Sequence, residues 1–182
     1  MAAICVYCAS SELIDPRYVE LATELGTELA RRGHTLVTGG GKVSMMGAVA
    51  RAARAGGART VGVIPAALSD QEIADTDSDE LILTGTMRER KAGMDDRADA
   101  FVALPGGIGT LEELFETWTS RSLVFHSKPV VLLDPDGFYT PLLDWLGRLT
   151  EEGFVRATAL EVLQVVKTVP EALDACEDGI AA

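Results

Sequence analysis

An apolar segment that breaks into three glycines and resumes as a helix with acidic residues is the feature that most constrains the fold. It reads Leu-Pro-Gly-Gly-Ile-Gly-Thr-Leu-Glu-Glu at residues 104–113. Apolar residues before the glycines predict a buried strand over Ala100–Leu104, and apolar residues at helical spacing after them predict a helix over Thr110–Leu123. The glycines therefore lie in a turn from strand to helix, as in parallel α/β sheets.

The glycines of this turn, Gly106, Gly107 and Gly109, indicate an anion site. Because glycine has no Cβ and tolerates positive φ, backbone N–H groups of the turn can approach a ligand closely. The predicted helix adds unpaired first-turn N–H groups and the positive end of its dipole, and both favour a phosphate. The sequence therefore predicts a phosphate site beside the carboxylates Glu112 and Glu113.

Strand-like and helical segments alternate along the chain. The predicted strands are Ala3–Tyr7, Thr35–Thr38, Thr60–Ile64, Ala100–Leu104, Pro129–Leu133 and Val162–Val166. The predicted helices are Pro16–Arg32, Ser44–Ala55, Met87–Arg97, Thr110–Leu123 and Tyr139–Glu151. Near-continuous apolar strands separated by amphipathic helices imply a parallel sheet covered on both faces. We expect one α/β domain over residues 1–182, built on a Rossmann-like, doubly wound parallel sheet.

Four segments fall at the carboxyl ends of predicted strands, where ligands of such sheets gather. The segments are Cys8–Ser11, Thr38–Gly41, Ile64–Pro65 and Pro105–Gly109. Residues Gly39–Gly47 are a second candidate phosphate turn, or else a tight turn in which Gly47 lets a helix pack closely on the sheet. They match neither G-x-G-x-x-G nor the P-loop pattern. The acidic segment Asp70–Glu80 is expected to form a surface loop or a short helix over the site.

The formal charge of -12 limits the class of partner. A polyanion such as nucleic acid, or an anionic membrane surface, would be repelled, whereas local groups can still bind a small anion. The sequence shows neither a signal-peptide pattern nor an apolar run of about 20 residues, so we expect a cytoplasmic protein without a membrane span.

The cysteines and histidines do not predict a redox or metal site. Cys5 and Cys8 form a C-x-x-C, but their spacing along a strand directs them to opposite faces, and with Cys176 they are too few for a disulfide framework. His34 and His126 are candidate general acid–base groups, but their positions before a strand and before Lys128-Pro129 favour surface turns, and they supply no cluster of metal ligands. We expect no metal and no organic cofactor.

Charged residues next to the glycine turn have both a structural and a functional interpretation. Thr110 and Glu113 fit a capping box, in which Glu113 reaches back to the N–H of Thr110. Alternatively, Glu113 is an ionised carboxylate that faces a developing positive charge or orients a water. The basic run Met87–Lys91 is either a solvated face or a place where Arg90 grips phosphate oxygens bidentately, with Lys91 as a point charge.

The chain resembles the LONELY GUY family of cytokinin riboside 5'-monophosphate phosphoribohydrolases. Pro105–Glu113 matches the family's P-G-G-x-G-T-x-x-E, and Met87–Lys91 matches its M-x-x-R-K. The resemblance implies hydrolysis of the N-glycosidic bond of N6-modified adenosine 5'-monophosphates, with some members also acting on AMP. It further implies a small-molecule nucleotide substrate and a homodimer with the site near the subunit interface.

The same resemblance assigns site residues by motif. Arg90 and Glu113 are expected to be the catalytic pair. The expected nucleotide contacts are Glu72, Arg90, Lys91, Gly107, Ile108, Gly109, Thr110, Leu111, Glu112, Glu113 and Thr119. The chain departs from common family residues at Ala9, Ser44 and Arg88, which bears on its base preference.

Two other function classes remain as alternatives. Rossmann-like sheets also hold phosphorylated ligands without cleaving them, so a non-catalytic nucleotide-binding or carrier protein is the main rival. An NAD-dependent oxidoreductase ranks last, because the dinucleotide fingerprint is missing. A Ser-His-Asp hydrolase has no nucleophile elbow in this sequence.

Overall fold

A computed structural model describes residues 1–69 and 73–181. Within these residues, seven strands form one sheet in the order β4-β3-β2-β1-β5-β6-β7, and every pair of neighbours is parallel. The strands are β1 (Ala3–Tyr7), β2 (Thr35–Thr38), β3 (Thr60–Pro65), β4 (Glu80–Thr84), β5 (Ala100–Ala103), β6 (Val130–Leu133) and β7 (Leu163–Val166). The fold is therefore the expected Rossmann-like α/β fold.

Helices cover both faces of the sheet. They are α1 (Pro16–Arg31), α2 (Ser44–Ala55), α3 (Ala66–Ser69), α4 (Met87–Asp95), α5 (Ile108–Ser122), α6 (Thr140–Glu151), α7 (Ala157–Glu161) and α8 (Val169–Ala181). One apolar core lies between the sheet and α1, α2 and α8, and the other lies between the sheet and α4, α5 and α6. Among the residues described, no helix is both long and apolar enough to cross a bilayer.

Strand periodicity sorts side chains between the two cores. In β1, Ile4 and Val6 face α1, α2 and α8, while Cys5 and Tyr7 face α4, α5 and α6. Cys8 falls in the first core, so the two thiols of the C-x-x-C lie on opposite faces, as predicted. All three cysteines are free and buried.

The strand order reverses at β1, because β2 lies on one side of it and β5 on the other. A crevice opens beyond the carboxyl ends of the strands at such a reversal. The turns that follow β1 and β5 meet there. The fold thus places the Cys8–Ser11 turn against the glycine turn that begins α5.

All six predicted strands are present, and four elements of the described residues were not predicted: α3, β4, α7 and α8. Strand β4 is an edge strand whose residues are at best half-buried, so its apolar pattern is weak. It begins at Glu80, the last residue of the predicted Asp70–Glu80 loop. Residues 70–72 of that loop lie outside the described residues, and Ala74 forms an isolated bridge with Gly41.

Candidate active site

A cavity of about 240 Å³ occupies the crevice between β1 and β5. One wall is the Cys8–Ser11 turn, and the opposite wall is the start of α5 from Gly107 to Thr110. Met46 of α2, together with Arg90 and Glu113, completes the lining. The predicted phosphate turn and the predicted catalytic pair therefore share one cavity.

Helix α5 begins two residues earlier than predicted, at Ile108, and this rules out the capping box. Its N-cap is Gly107, whose extended backbone (φ -92°) offers no side chain to cap the helix. Thr110 is the third helical residue and is buried, and Glu113 hydrogen-bonds to Arg90 instead of reaching back. The first-turn N–H groups thus lack a side-chain cap and border the cavity.

No glycine of this turn is required by a positive φ, which corrects the sequence-based expectation, and only Gly106 is required by space. None of Gly106, Gly107 and Gly109 has a positive φ. A Cβ on Gly106 would overlap the Thr110 side chain, whereas a Cβ on Gly107 or Gly109 would meet nothing within 4 Å. Those two glycines leave open space in front of the helix end.

Arg90 and Glu113 form a largely buried ion pair. The Arg90 Nη1 donates to Glu113 Oε1 at 3.0 Å, and each side chain is only 11% exposed. Protein carbonyls hold the rest of the guanidinium, since Nε donates to Val63 O at 3.1 Å and Nη2 donates to Gly39 O at 3.2 Å. Arg90 is thus directed at Glu113 and two backbone oxygens, and not set out as a free bidentate clamp for phosphate.

Burial raises the pKa of Glu113 above its ordinary value, and the positive charge of Arg90 acts in the opposite direction. Desolvation penalises the ionised form, while the ion pair favours it. When this buried carboxylate is ionised, it interacts strongly with a neighbouring ligand, because few solvent molecules screen its charge.

Glu113 also lines a second cavity, of about 180 Å³, which lies between α4 and α5. Lys91 spans these helices and pairs with both Glu112 and Glu116. Tyr7 and His126 also line this cavity. Glu113 therefore lines both cavities, one at the start of α5 and one between α4 and α5.

Neither histidine is the exposed turn residue that the sequence suggested. His34 is 5% exposed, and its Nε2 lies 2.7 Å from Glu177 Oε1. His126 is half-buried, with Nε2 3.1 Å from Thr117 O, and burial lowers its pKa. His126 lies at a cavity shared with Glu113, which differs from the surface turn that the sequence favoured for it.

The Gly39–Gly47 turn is filled by protein atoms. A Cβ on Gly39 would overlap the Arg90 guanidinium, and a Cβ on Gly47 would overlap the Lys42 carbonyl. The structure therefore favours the packing interpretation over a second phosphate site. What the sequence did not reveal is that the Gly39 carbonyl, together with that of Val63, holds Arg90.

The remaining predicted contact residues are dispersed. Leu111 is half-buried and packs against the core, and Glu112 is exposed beside Lys91. Thr119 lines a separate groove of about 170 Å³ with Phe115 and Trp118. Glu72 lies outside the described residues.

Fold and site together define a doubly wound α/β protein with an open helix amino terminus beside a buried carboxylate. A family model described as "Possible lysine decarboxylase" matches residues 46–176. The chain is 55% identical to the cytokinin riboside 5'-monophosphate phosphoribohydrolase of Mycobacterium tuberculosis, covering 95% of this chain and 92% of that protein. It is 42% identical to the Arabidopsis thaliana enzyme LOG2, with coverage of 97% and 83%.

Solved structures share the fold. The Moco carrier protein from Chlamydomonas reinhardtii superimposes with a TM-score of 0.73 at 25% identity, covering 99% of this chain and 98% of that one. The molybdenum cofactor binding protein of Rippkaea orientalis gives a TM-score of 0.74 at 22% identity, with coverage of 97% and 96%. On the sequence matches, the chain belongs to the family of cytokinin riboside 5'-monophosphate phosphoribohydrolases.

Proposed function

We propose that the protein hydrolyses the N-glycosidic bond of N6-modified adenosine 5'-monophosphates and of AMP. Water adds to C1' of the ribose, the bond from C1' to the base nitrogen breaks, and the products are free base and ribose 5-phosphate. One observation carries the proposal: the buried carboxylate of Glu113 faces the same cavity as the uncapped start of α5. Family membership supports the choice of reaction.

The start of α5 binds the 5'-phosphate in this proposal. Gly107, Ile108 and Gly109 are exposed at the cavity, and neither glycine carries a side chain that would keep a ligand away. Unpaired N–H groups and the helix dipole supply the positive potential that a phosphate needs. Binding energy from the phosphate then positions C1' for reaction.

Glu113 acts on the ribose. Departure of the base leaves positive charge on the sugar, as in glycoside hydrolysis, and an adjacent carboxylate stabilises it. The same carboxylate accepts a hydrogen bond from the attacking water and aligns it with C1'. Arg90 is a positioning residue, because its guanidinium holds Glu113 while Gly39 and Val63 hold the guanidinium.

A homodimer accounts for Thr119 as a nucleotide contact. Thr119 is six residues beyond Glu113 on α5, or about 9 Å along the helix axis, and it lines a different groove. Within one chain it is therefore poorly placed to touch a ligand beside Glu113. Exposed apolar residues at the end of the same helix, Leu123, Val124 and Phe125, supply an apolar surface for a second copy.

The three free thiols suit a reducing compartment, and we place the protein in the cytoplasm.

A carrier function is the second candidate, because the fold is shared with a Moco carrier protein. The two candidates differ in what happens to a bound nucleotide. A carrier releases it unchanged, whereas a hydrolase converts it to base and ribose 5-phosphate.

The test is chromatography of the products after the protein is incubated with AMP and, separately, with N6-isopentenyladenosine 5'-monophosphate. We expect free base and ribose 5-phosphate in equal amounts, with the same nucleosides lacking phosphate cleaved more slowly. Intact nucleotide that co-elutes with the protein would support the carrier. Absence of both cleavage and binding would refute both candidates.

A further inference from the structure

Ser44, the first residue of α2, adopts an unusual backbone conformation. Its φ is +49°, in the left-handed region that side chains other than glycine rarely enter. Such strain persists where surrounding contacts enforce it, and it is concentrated at functional sites. The contact that holds Ser44 in this conformation therefore indicates what the strain is for.

The hydroxyl of Ser44 supplies this contact. Its Oγ donates to the carbonyl of Ser11 at 2.6 Å, so the first residue of α2 is tied to the turn after β1. Ser10, Ser11, Glu12 and Leu13 are all exposed, and within the described part of the chain Ser11 Oγ accepts only a local bond from Leu13 N–H. Among the hydrogen bonds of the described residues, the one from Ser44 links this exposed turn to another element.

The tethered turn is a wall of the active-site cavity. Ser10 and Ser11 line it opposite Gly107–Thr110, and Met46, two residues after Ser44, lines it as well. The cap of α2 is Val43, which makes no side-chain capping bond. The Ser44 hydroxyl points away from its own helix and bonds to the cavity wall.

We propose that Ser44 is a positioning residue for nucleotide binding: its hydroxyl holds the Ser10–Ser11 wall at the separation from α5 that encloses the phosphate. The proposal rests on the proposed function. Ser44 touches no reacting atom and acts through Ser11. A negative φ would redirect the hydroxyl, so the strain at Ser44 is the cost of keeping this wall in place.

Two variants separate positioning from stability. Ser44→Gly removes the hydroxyl and also relieves the positive φ, whereas Ser44→Ala removes the hydroxyl and keeps the strain. We expect the glycine variant to match or exceed the wild type in thermal stability and the alanine variant to fall below it. Despite this difference, both should raise KM for the nucleotide by the same factor, about three- to tenfold, with kcat nearly unchanged.

The dissociation constant of ribose 5-phosphate, measured by calorimetry, should rise by the same factor in both variants. Thr23→Ala is the control, because it removes a hydroxyl that bonds only within α1. A KM that follows stability, unchanged in Ser44→Gly and raised in Ser44→Ala, would overturn the proposal, as would an unchanged KM in both. If the wild type releases no base, the proposed function fails, and calorimetry with AMP still decides the role of Ser44.

Discussion

Two glycine-rich turns, Gly39–Gly41 after β2 and Gly106–Gly109 after β5, flank β1, and they serve opposite purposes. The Arg90 guanidinium fills the space at Gly39, and the Gly39 carbonyl accepts hydrogen bonds from it. The second turn is filled only at Gly106, by Thr110, and is open at Gly107 and Gly109. The glycine content of a turn therefore does not show whether the turn packs against side chains of the same chain or stays open to a ligand.

The difference comes from α4. This helix carries Arg90 across to the first turn, where two carbonyls and Glu113 accept from its guanidinium. No comparable side chain among the described residues covers the N-terminus of α5, whose cap is Gly107. The first turn thus serves to orient Glu113, and the second remains available for an anion.

Among substitutions in and around the two turns, Gly39→Ala should have the largest effect. Its Cβ would overlap the guanidinium, so Arg90 must move, and we expect its hydrogen bond to Glu113 to be lost with that movement. We expect base release to fall on the order of a hundredfold, as when an electrostatic group is lost. Overpacking should also cost about 1–3 kcal/mol of stability in urea unfolding. Gly147→Ala, which meets nothing within 4 Å in α6, is the control. Wild-type kinetics in Gly39→Ala would contradict the role of the first turn in orienting Glu113 through Arg90.

Gly109→Ala should affect ligand binding without harming the fold. The new methyl group meets no protein atom and lies within a helix, where alanine is favoured over glycine by about 0.8–1 kcal/mol. Because the methyl group projects into the open space, we expect KM for the nucleotide to rise about tenfold, equivalent to about 1.4 kcal/mol of binding. Unfolding and steady-state kinetics check both parts. A stable variant with unchanged KM would show that phosphate binds elsewhere.

Tyr139→Phe should have a smaller effect on the open turn. The Tyr139 hydroxyl donates to the carbonyl of Leu104 at 2.8 Å, immediately before Pro105 and the glycines. Loss of this buried bond should cost about 1 kcal/mol of stability, and a looser turn should raise KM severalfold with kcat nearly unchanged. Kinetics and thermal unfolding on the same preparation measure both. A fall in kcat at constant KM would place Tyr139 in a different role.

The dependence of kcat/KM on pH tests the ionisation of Glu113, which lies between the two turns. Burial raises the pKa of Glu113, and the mechanism requires its ionised form, so kcat/KM should fall on acidification at a pH above the ordinary range of glutamate. For stability the sign is reversed. The protonated form favours folding, and that contribution is lost as the pH rises through the raised pKa. An acid limb at or below the ordinary glutamate range would show that Glu113 is not the titrating group.

Much of the fold could be predicted because the strands of a buried parallel sheet are nearly continuous apolar runs, and the helices between them are amphipathic. The edge strand β4 could not, since its residues are at best half-buried and it follows an acidic segment. Helix α8 was missed although Val169, Ala172, Leu173 and Cys176 are buried. Its position at the end of the chain left no following strand to complete the alternation.

At the site, motif residues were predictable and their partners were not. The sequence brought Arg90 and Glu113 together as a pair, and the structure places them in contact. It also suggested that Glu113 caps Thr110, which is wrong because α5 starts at Ile108. Which donor meets which acceptor depends on the packing of α4 across β3, and Val63 O and Gly39 O carry no sequence signal.

The most direct test of the central claim compares Glu113→Gln with Glu116→Gln, the same change one turn along α5 at an exposed side chain. We measure release of free base from N6-isopentenyladenosine 5'-monophosphate, and binding of ribose 5-phosphate by calorimetry. We expect Glu113→Gln to fold, to bind ribose 5-phosphate and to lose on the order of a hundredfold or more in rate, while Glu116→Gln stays close to wild type. Wild-type base release by Glu113→Gln would contradict it.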